Sequence, residues 1–255
     1  MIVRVFMINE RLKNNGCYEM CDDNTEGFID VKFSLQPIVC PKTMNFIAFE
    51  MLTRFEDAKI NVEDFFNEIS DGWIKAIIRL QVNEINRIKF DDLSYTSINF
   101  NTKIMADDKF ISCILNQVNK KIAFEITTSP SSNIEEMKLI NSIVNIKSRG
   151  HEVWLDDYLS EEISESMLFI ADWDLVKIDK SIMYKYLGDY EYMLDLIADA
   201  SDFGRRNIVF EGVETNYQHE QLSKYKCLHQ GYYYGSLIEC ASIERIGHRF
   251  SFEYQ

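Results

Sequence analysis

The string Ile-Ala-Phe-Glu occurs twice, at Ile47–Glu50 and Ile122–Glu125, and Ile208–Glu211 is a near copy with valine in second place. Each is a short apolar run that stops on a carboxylate. Val153–Asp157 (Val-Trp-Leu-Asp-Asp) and Ser97–Phe100 (Ser-Ile-Asn-Phe) follow the same grammar, the second with Asn99 as its polar residue. Leu175–Asp179 (Leu-Val-Lys-Ile-Asp) adds Lys177 and another acid. Apolar runs of this length suit strands buried on both faces. A charge there is costly unless it is paired or bound to metal. Several strands delivering acids to one place would build a metal site.

The spacing predicts strands over 33–39, 45–54, 95–100, 121–127, 152–155, 175–178, 207–210 and 231–234. Between them, apolar residues recur at helical spacing over 62–69, 73–88, 108–118, 134–147, 161–170, 190–203, 217–225 and 243–252. Ser132 and Asn133 read as a helix start, and Gly150 as a stop. With three prolines and no low-complexity linker, the chain reads as one α/β domain. Regular β/α alternation implies a parallel sheet, and eight strands favour a (β/α)8 barrel of the TIM type. The barrel domain is expected over 33–255, with residues 1–32 as an N-terminal extension packed on it. The strand C-terminal ends form the active face of such a barrel. Glu125, Asp156, Asp157 and Glu211 would converge there, with Glu50 and Asn99 near enough to join them.

The chain has 255 residues, with 41 acids against 27 bases, a formal charge of −14. That field repels nucleic acid and anionic lipid, so neither nucleic acid nor membrane is an expected partner. An anionic substrate would need local cations, and divalent metals are the obvious source. The six cysteines contain no C-x-x-C pair and the four histidines are scattered, so a zinc cage is not indicated and reduced thiols are expected. The first residues do not read as the long apolar core of a signal peptide, no run of about 20 apolar residues occurs, and the expected compartment is the cytoplasm.

The ordered motifs resemble those of the EAL-domain family, which hydrolyses cyclic di-GMP to the linear dinucleotide. Gln36-Pro-Ile matches the family's Q-P-I, and Glu50-Met-Leu-Thr-Arg54 matches E-A-L-L-R. Ser97–Asn101 matches the strand of the family asparagine, Glu125–Thr128 matches E-x-x-E, and Asp156-Asp157-Tyr158 matches D-D-F. Lys177-Ile-Asp179, Glu211–Thr215 and Gln230-Gly-Tyr232 are intact, with 19 residues between Asp157 and Lys177. The resemblance covers roughly residues 33–245.

It implies a metal-dependent phosphodiesterase with two divalent cations, Mg²⁺ or Mn²⁺, a choice that suits an all-oxygen ligand set. By similarity, Glu50, Asn99, Glu125 and Asp156 would hold the first ion. Asp156 would bridge, and Asp157 with Glu211 would hold the second. Lys177 would sit against the attacking water and Gln230 would support that water shell. Arg54 would bind the non-scissile phosphate, and Gln36 would lie at the substrate edge. Taken alone, each residue has a plainer reading: Arg54 as the ion-pair partner of Glu56 or Asp57, Lys177, Asp179 and Glu214 as salt-bridge residues. The tyrosines at 184, 186, 190 and 192 read as a solvent-rimmed helix face or dimer contact, and Tyr232 to Tyr234 as packed beside the last strand.

Two departures stand out. The family's F-G-T-G-Y-S-S-L loop reads Tyr158-Leu-Ser-Glu-Glu-Ile-Ser-Glu165, with Leu159 and Glu161 in place of glycine. Any glycine-specific backbone conformation should then be lost. The second glutamate of E-x-x-E, which steadies that loop in the family, is Thr128. The sequence therefore supports two functions: hydrolysis of cyclic di-GMP, or a weak or inactive module that binds cyclic di-GMP or a regulatory protein. A homodimer is a further expected partner, since the family often pairs barrels.

Overall fold

The computed structural model describes residues 8–13, 16–22, 28–88, 95–161, 163, 165–200 and 207–240. Among these, the strands are β1 (Ile8–Leu12), β2 (Tyr18–Asp22), β3 (Ile29–Val39), β4 (Phe46–Phe55), β5 (Tyr95–Phe100), β6 (Ile122–Ile126), β7 (Glu152–Tyr158), β8 (Leu175–Ile178), β9 (Ile208–Phe210), β10 (Leu228–Gln230) and β11 (Ile238–Glu239). The helices are α1 (Val62–Glu68), α2 (Asp71–Arg87), α3 (Thr102–Met105), α4 (Asp108–Gln117), α5 (Asn133–Ser148), α6 (Met167–Ile170), α7 (Lys180–Tyr186), α8 (Tyr190–Asp199) and α9 (Asn216–Leu222). The helix expected over 243–252 lies outside the described residues. No helix among the described residues is long and apolar enough to cross a membrane.

Strands β4 to β10 pair in sequence order, and β3 pairs with both β4 and β10, so eight strands close into a barrel. The all-parallel expectation needs correction at β3, which runs antiparallel to both neighbours. Only residues 40–45 separate β3 from β4. A connection that short makes a hairpin, whereas a parallel return needs a crossover of a dozen residues or more. Between β4 and β5 the chain has room for α1 and α2. Helix α2 buries Trp73, Ile74, Ile77, Ile78, Val82 and Ile85, a gross hydrophobic gain on the order of 10 kcal/mol before entropy is counted. Before the barrel, β1 and β2 form a hairpin that pairs with the first residues of β3. Tyr18 from that hairpin packs into the main core and donates to Glu84 on α2 at 2.8 Å.

Two other elements differ from expectation. The last barrel strand is Leu228–Gln230, and residues 232–234 form a short 3-10 helix. Gly231 breaks the strand: at φ 154° its backbone lies so close to Val213 that a Cβ would meet the Val213 carbonyl at 2.2 Å. Of the helix expected over 161–170, only Met167–Ile170 is helical among the described residues.

The barrel interior explains where the motif residues go. Ile38, Ala48, Ala123, Trp154, Leu175, Val209 and Leu228 form an apolar cluster of their own, separate from the core under the helices. Residues two apart on a strand share a face. The next inward positions toward the strand C-termini are therefore Glu50, Glu125, Asp156, Lys177, Glu211 and Gln230. On β5 the corresponding pair is Ser97 and Asn99, and on antiparallel β3 it is Ile38 and Gln36. An apolar floor thus carries a polar layer one pleat above it.

Candidate active site

The polar layer gathers around one ammonium group. Lys177 Nζ lies 3.1 Å from Glu50 Oε2, 2.8 Å from Asp156 Oδ1 and 2.8 Å from Glu211 Oε1, and it also bonds Glu125. Asn99 Nδ2 donates to Glu50 Oε1 at 2.8 Å. Gln230 Nε2 donates to Glu50 Oε2 at 2.6 Å and to Gln36 Oε1 at 3.2 Å. Glu125 is fully buried, and Lys177 and Gln230 nearly so. Residues 36, 50, 99, 125, 156, 177 and 230 from seven strands, with 211 one residue past an eighth, are thereby brought together.

Asp156 and Asp157 are adjacent, so a regular strand would turn one of them away from the interior. The register of β7 against β8 shifts between Leu155 and Tyr158, and Asp157 has φ 46°. This bulge re-aims the second acid toward Glu211, with which it shares a hydrogen bond. Bulges do this at barrel rims. Adjacent acids at a strand end are a sequence signal for such a bulge, but the pairing that creates it is tertiary.

The charges are unbalanced: Glu50, Glu125, Asp156, Asp157 and Glu211 face one lysine. Burial opposes the Lys177 charge, yet attraction to Asp156, Glu125, Glu211 and Glu50 outweighs it and holds the pKa well above the ordinary value. Burial also pushes Glu50 upward, but Lys177 and the amides of Asn99 and Gln230 win, leaving it below the usual range. Glu125 is raised well above it by burial, with Glu50 and Asp156 adding repulsion against the pull of Lys177. Glu211 is raised in the same way, by burial and by Asp156 and Asp157. Burial and the neighbouring Asp156 push Asp157 up to about 7.

This arrangement fits hard cations. Glu50, Glu125 and Asp156 each offer an oxygen within 4.8 Å of the others, as do Asp156, Asp157 and Glu211, so Asp156 belongs to both groups. Asn99 Oδ1 and Glu125 Oε2 are buried lone-pair donors that accept no hydrogen bond among the described residues. An excess of buried carboxylates with oxygen-only donors suits divalent ions better than it suits the protein alone.

Arg54 does not join the cluster. It is exposed, four residues beyond Glu50 on the same face of β4, and directly opposite Lys32 of β3. No ion pair joins Arg54 to Glu56 or Asp57 among the described residues. Glu56 is taken by Lys32 at 2.8 Å.

The loop after the acid pair corrects one expectation. Leu159 keeps the left-handed conformation, at φ 70°, although it is not glycine. Its side chain packs against the main core, which offsets a strain of about 1–2 kcal/mol. Thr128 is engaged elsewhere: its hydroxyl accepts from the Thr102 N–H at 3.0 Å and lies 3.2 Å from the Thr102 hydroxyl, at the start of α3.

The other singled-out residues sort by contact. Asp179 caps α7 by accepting from the Ser181 N–H at 2.8 Å. Tyr186 and Tyr192 stack at 3.7 Å, Tyr190 stacks on Tyr225 at 5.7 Å, and Tyr184 reaches the carbonyl of Gly212. Tyr234 is buried between His219 and His229, while Tyr232 is exposed rather than packed beside the strand. The contact of Tyr184 had no sequence signal beyond the residue itself.

The family model of the EAL domain matches residues 29–236. The chain belongs to the EAL domain family. It is 27% identical over 221 residues to the probable cyclic di-GMP phosphodiesterase PdeB of Escherichia coli (strain K12), a match covering 81% of this chain and 41% of that protein. The EAL enzyme Bd1971, solved in a form bound to cAMP and cyclic-di-GMP, has a TM-score of 0.73 at 17% identity and covers 86% of this chain and 65% of its own. Klebsiella pneumoniae BlrP1, solved as a calcium/cy-diGMP complex, has a TM-score of 0.64 at 16% identity, with 82% and 57% covered. The chain thus spans less than two thirds of each relative's length. At these identities the structural likeness speaks for the barrel alone. In this EAL barrel Glu50, Glu125, Asp156, Lys177, Glu211 and Gln230 lie in the polar interior layer, whereas Arg54 and Thr128 do not.

Proposed function

We propose that this chain is a metal-dependent phosphodiesterase that hydrolyses cyclic di-GMP to linear pGpG and so lowers the level of that second messenger. One observation carries the reading: six oxygen-donor residues from five strand ends, Glu50, Asn99, Glu125, Asp156, Asp157 and Glu211, meet beside a protonated Lys177. The names of the relatives supply the substrate class. Mg²⁺ or Mn²⁺ held by the groups around Asp156 would polarise the phosphate and lower the pKa of water.

The chain's own residues do the rest. Lys177, kept charged by its four carboxylate neighbours, orients the attacking water and offsets negative charge on the phosphate. Gln230 fixes one oxygen of Glu50 by its amide and would support the water shell. Arg54 is exposed on the same strand face as Glu50, and its planar guanidinium suits bidentate capture of the second phosphate. Gln36, opposite Glu50 across the hairpin, borders the substrate.

A second reading is a barrel that binds cyclic di-GMP or a regulatory protein without turnover. It is favoured by Thr128, whose hydroxyl serves α3 rather than the loop after Asp157. Incubating pure protein with cyclic di-GMP and Mn²⁺ or Mg²⁺, and following pGpG, separates the two. The phosphodiesterase reading expects turnover that Glu50→Ala lowers at least about a hundredfold, since an outer ligand partner alone is worth 10–100-fold. No turnover by the wild type, or equal turnover in the variant, would overturn it. Calorimetry with the dinucleotide then tests binding.

A further inference from the structure

Glu211 lies one residue past β9, so its aim depends on the loop that follows as well as on the sheet. That loop is pinned on both sides. The Glu211 N–H bonds the Ile178 carbonyl at 3.3 Å, the Val213 N–H bonds the Gln230 carbonyl at 3.0 Å, and the Tyr233 N–H bonds the Val213 carbonyl at 3.0 Å. Between these points stands Gly212, in the left-handed region at φ 65°. A Cβ there would sit 2.6 Å from Lys180 Cβ and 3.1 Å from the Tyr184 hydroxyl oxygen. Helix α7 therefore presses directly on the backbone beside the carboxylate.

Among the described residues, the side-chain hydrogen bond into this peptide comes from α7. Tyr184 donates its hydroxyl to the Gly212 carbonyl at 3.1 Å, and the side chains of Glu214 and Gln218 also hydrogen-bond that hydroxyl. The helix itself is set by Asp179, which caps it two residues after Lys177 leaves β8. One rigid path thus runs from the strand carrying Lys177, through the cap and Tyr184, to the peptide that follows Glu211.

We propose that Tyr184 is a positioning residue for Glu211: its hydroxyl fixes the Gly212 peptide and so aims the Glu211 carboxylate toward Asp157 at the second cation. This rests on the two-cation reading above. Partners behind a metal ligand are commonly worth 10–100-fold in metal affinity. Tyr184 is half exposed and acts through the main chain, so an effect of about tenfold is expected.

The test is calorimetric titration of the full chain with Mn²⁺, using the wild type, Tyr184→Phe, Asp157→Asn and the double variant. The wild type should take two ions. Tyr184→Phe should leave the tighter site unchanged and weaken the other about tenfold, with the melting temperature of the metal-free protein unmoved. In the Asp157→Asn background, Tyr184→Phe should add nothing, because the site it serves is already broken. Two unchanged affinities in Tyr184→Phe would overturn the inference and leave the two-cation reading intact. Equal loss at both sites with a lower melting temperature would assign the tyrosine to stability alone, which also overturns it. A wild type that binds fewer than two ions would remove the two-cation reading, and the inference with it.

Discussion

Leu159 holds a conformation that an L-residue adopts at a cost of about 1–2 kcal/mol, and its core contacts keep it there. A β-branched residue tolerates positive φ worst of all. Leu159→Ile, which preserves volume, should therefore destabilise the protein by about 1–2 kcal/mol, read as a lower urea midpoint at unchanged slope. An unchanged midpoint would show that the turn relaxes. At this scale the sequence was partly legible. It named the acids, since a carboxylate ending a buried apolar run asks for a partner. It could not show that Asp157 faces the site, because that depends on a bulge made by pairing with β8. Nor could it show that leucine would keep the glycine-like turn, which depends on packing around the side chain.

Strands were the most legible elements, because residues buried on both faces leave uninterrupted apolar runs. Their ends were less so: β10 stops before Gly231, whose backbone turns to φ 154°, and only glycine fits there because Val213 stands where a Cβ would go. The E-x-x-E element carries a prediction of its own. Thr128→Glu removes a hydroxyl that accepts from the first N–H of α3. A lost cap of this kind costs about 1 kcal/mol. If the lost loop anchor limits the rate, the same variant should raise turnover of cyclic di-GMP while lowering the urea midpoint. A flat or lower rate would count against the anchor argument.

For the whole molecule the buried acids tie stability to metal and pH. Asp157 has its pKa raised from 3.8 to about 7, and Glu125 and Glu211 are raised as well. Each such group favours the metal-free fold fully below its unfolded pKa, and that contribution fades as pH climbs through the folded value. Bound cations would take the place of those protons. The rise in melting temperature produced by Mn²⁺ should therefore be larger at pH 8 than at pH 5.5 and vanish with EDTA. At 100 times the dissociation constant a bound ion adds about 2.7 kcal/mol. An increment independent of pH would mean that ions bind elsewhere. The sequence by itself determined the barrel, through alternating apolar runs and helical spacing. It also determined the chemical character of the site, because carboxylates at strand ends have no cheap place in a dry interior. Only the tertiary structure decided the antiparallel first strand, the bulge that turns Asp157 inward, and the reach of Tyr184 to Gly212. Each depends on which distant backbone lies alongside, and no local pattern of residue types records that.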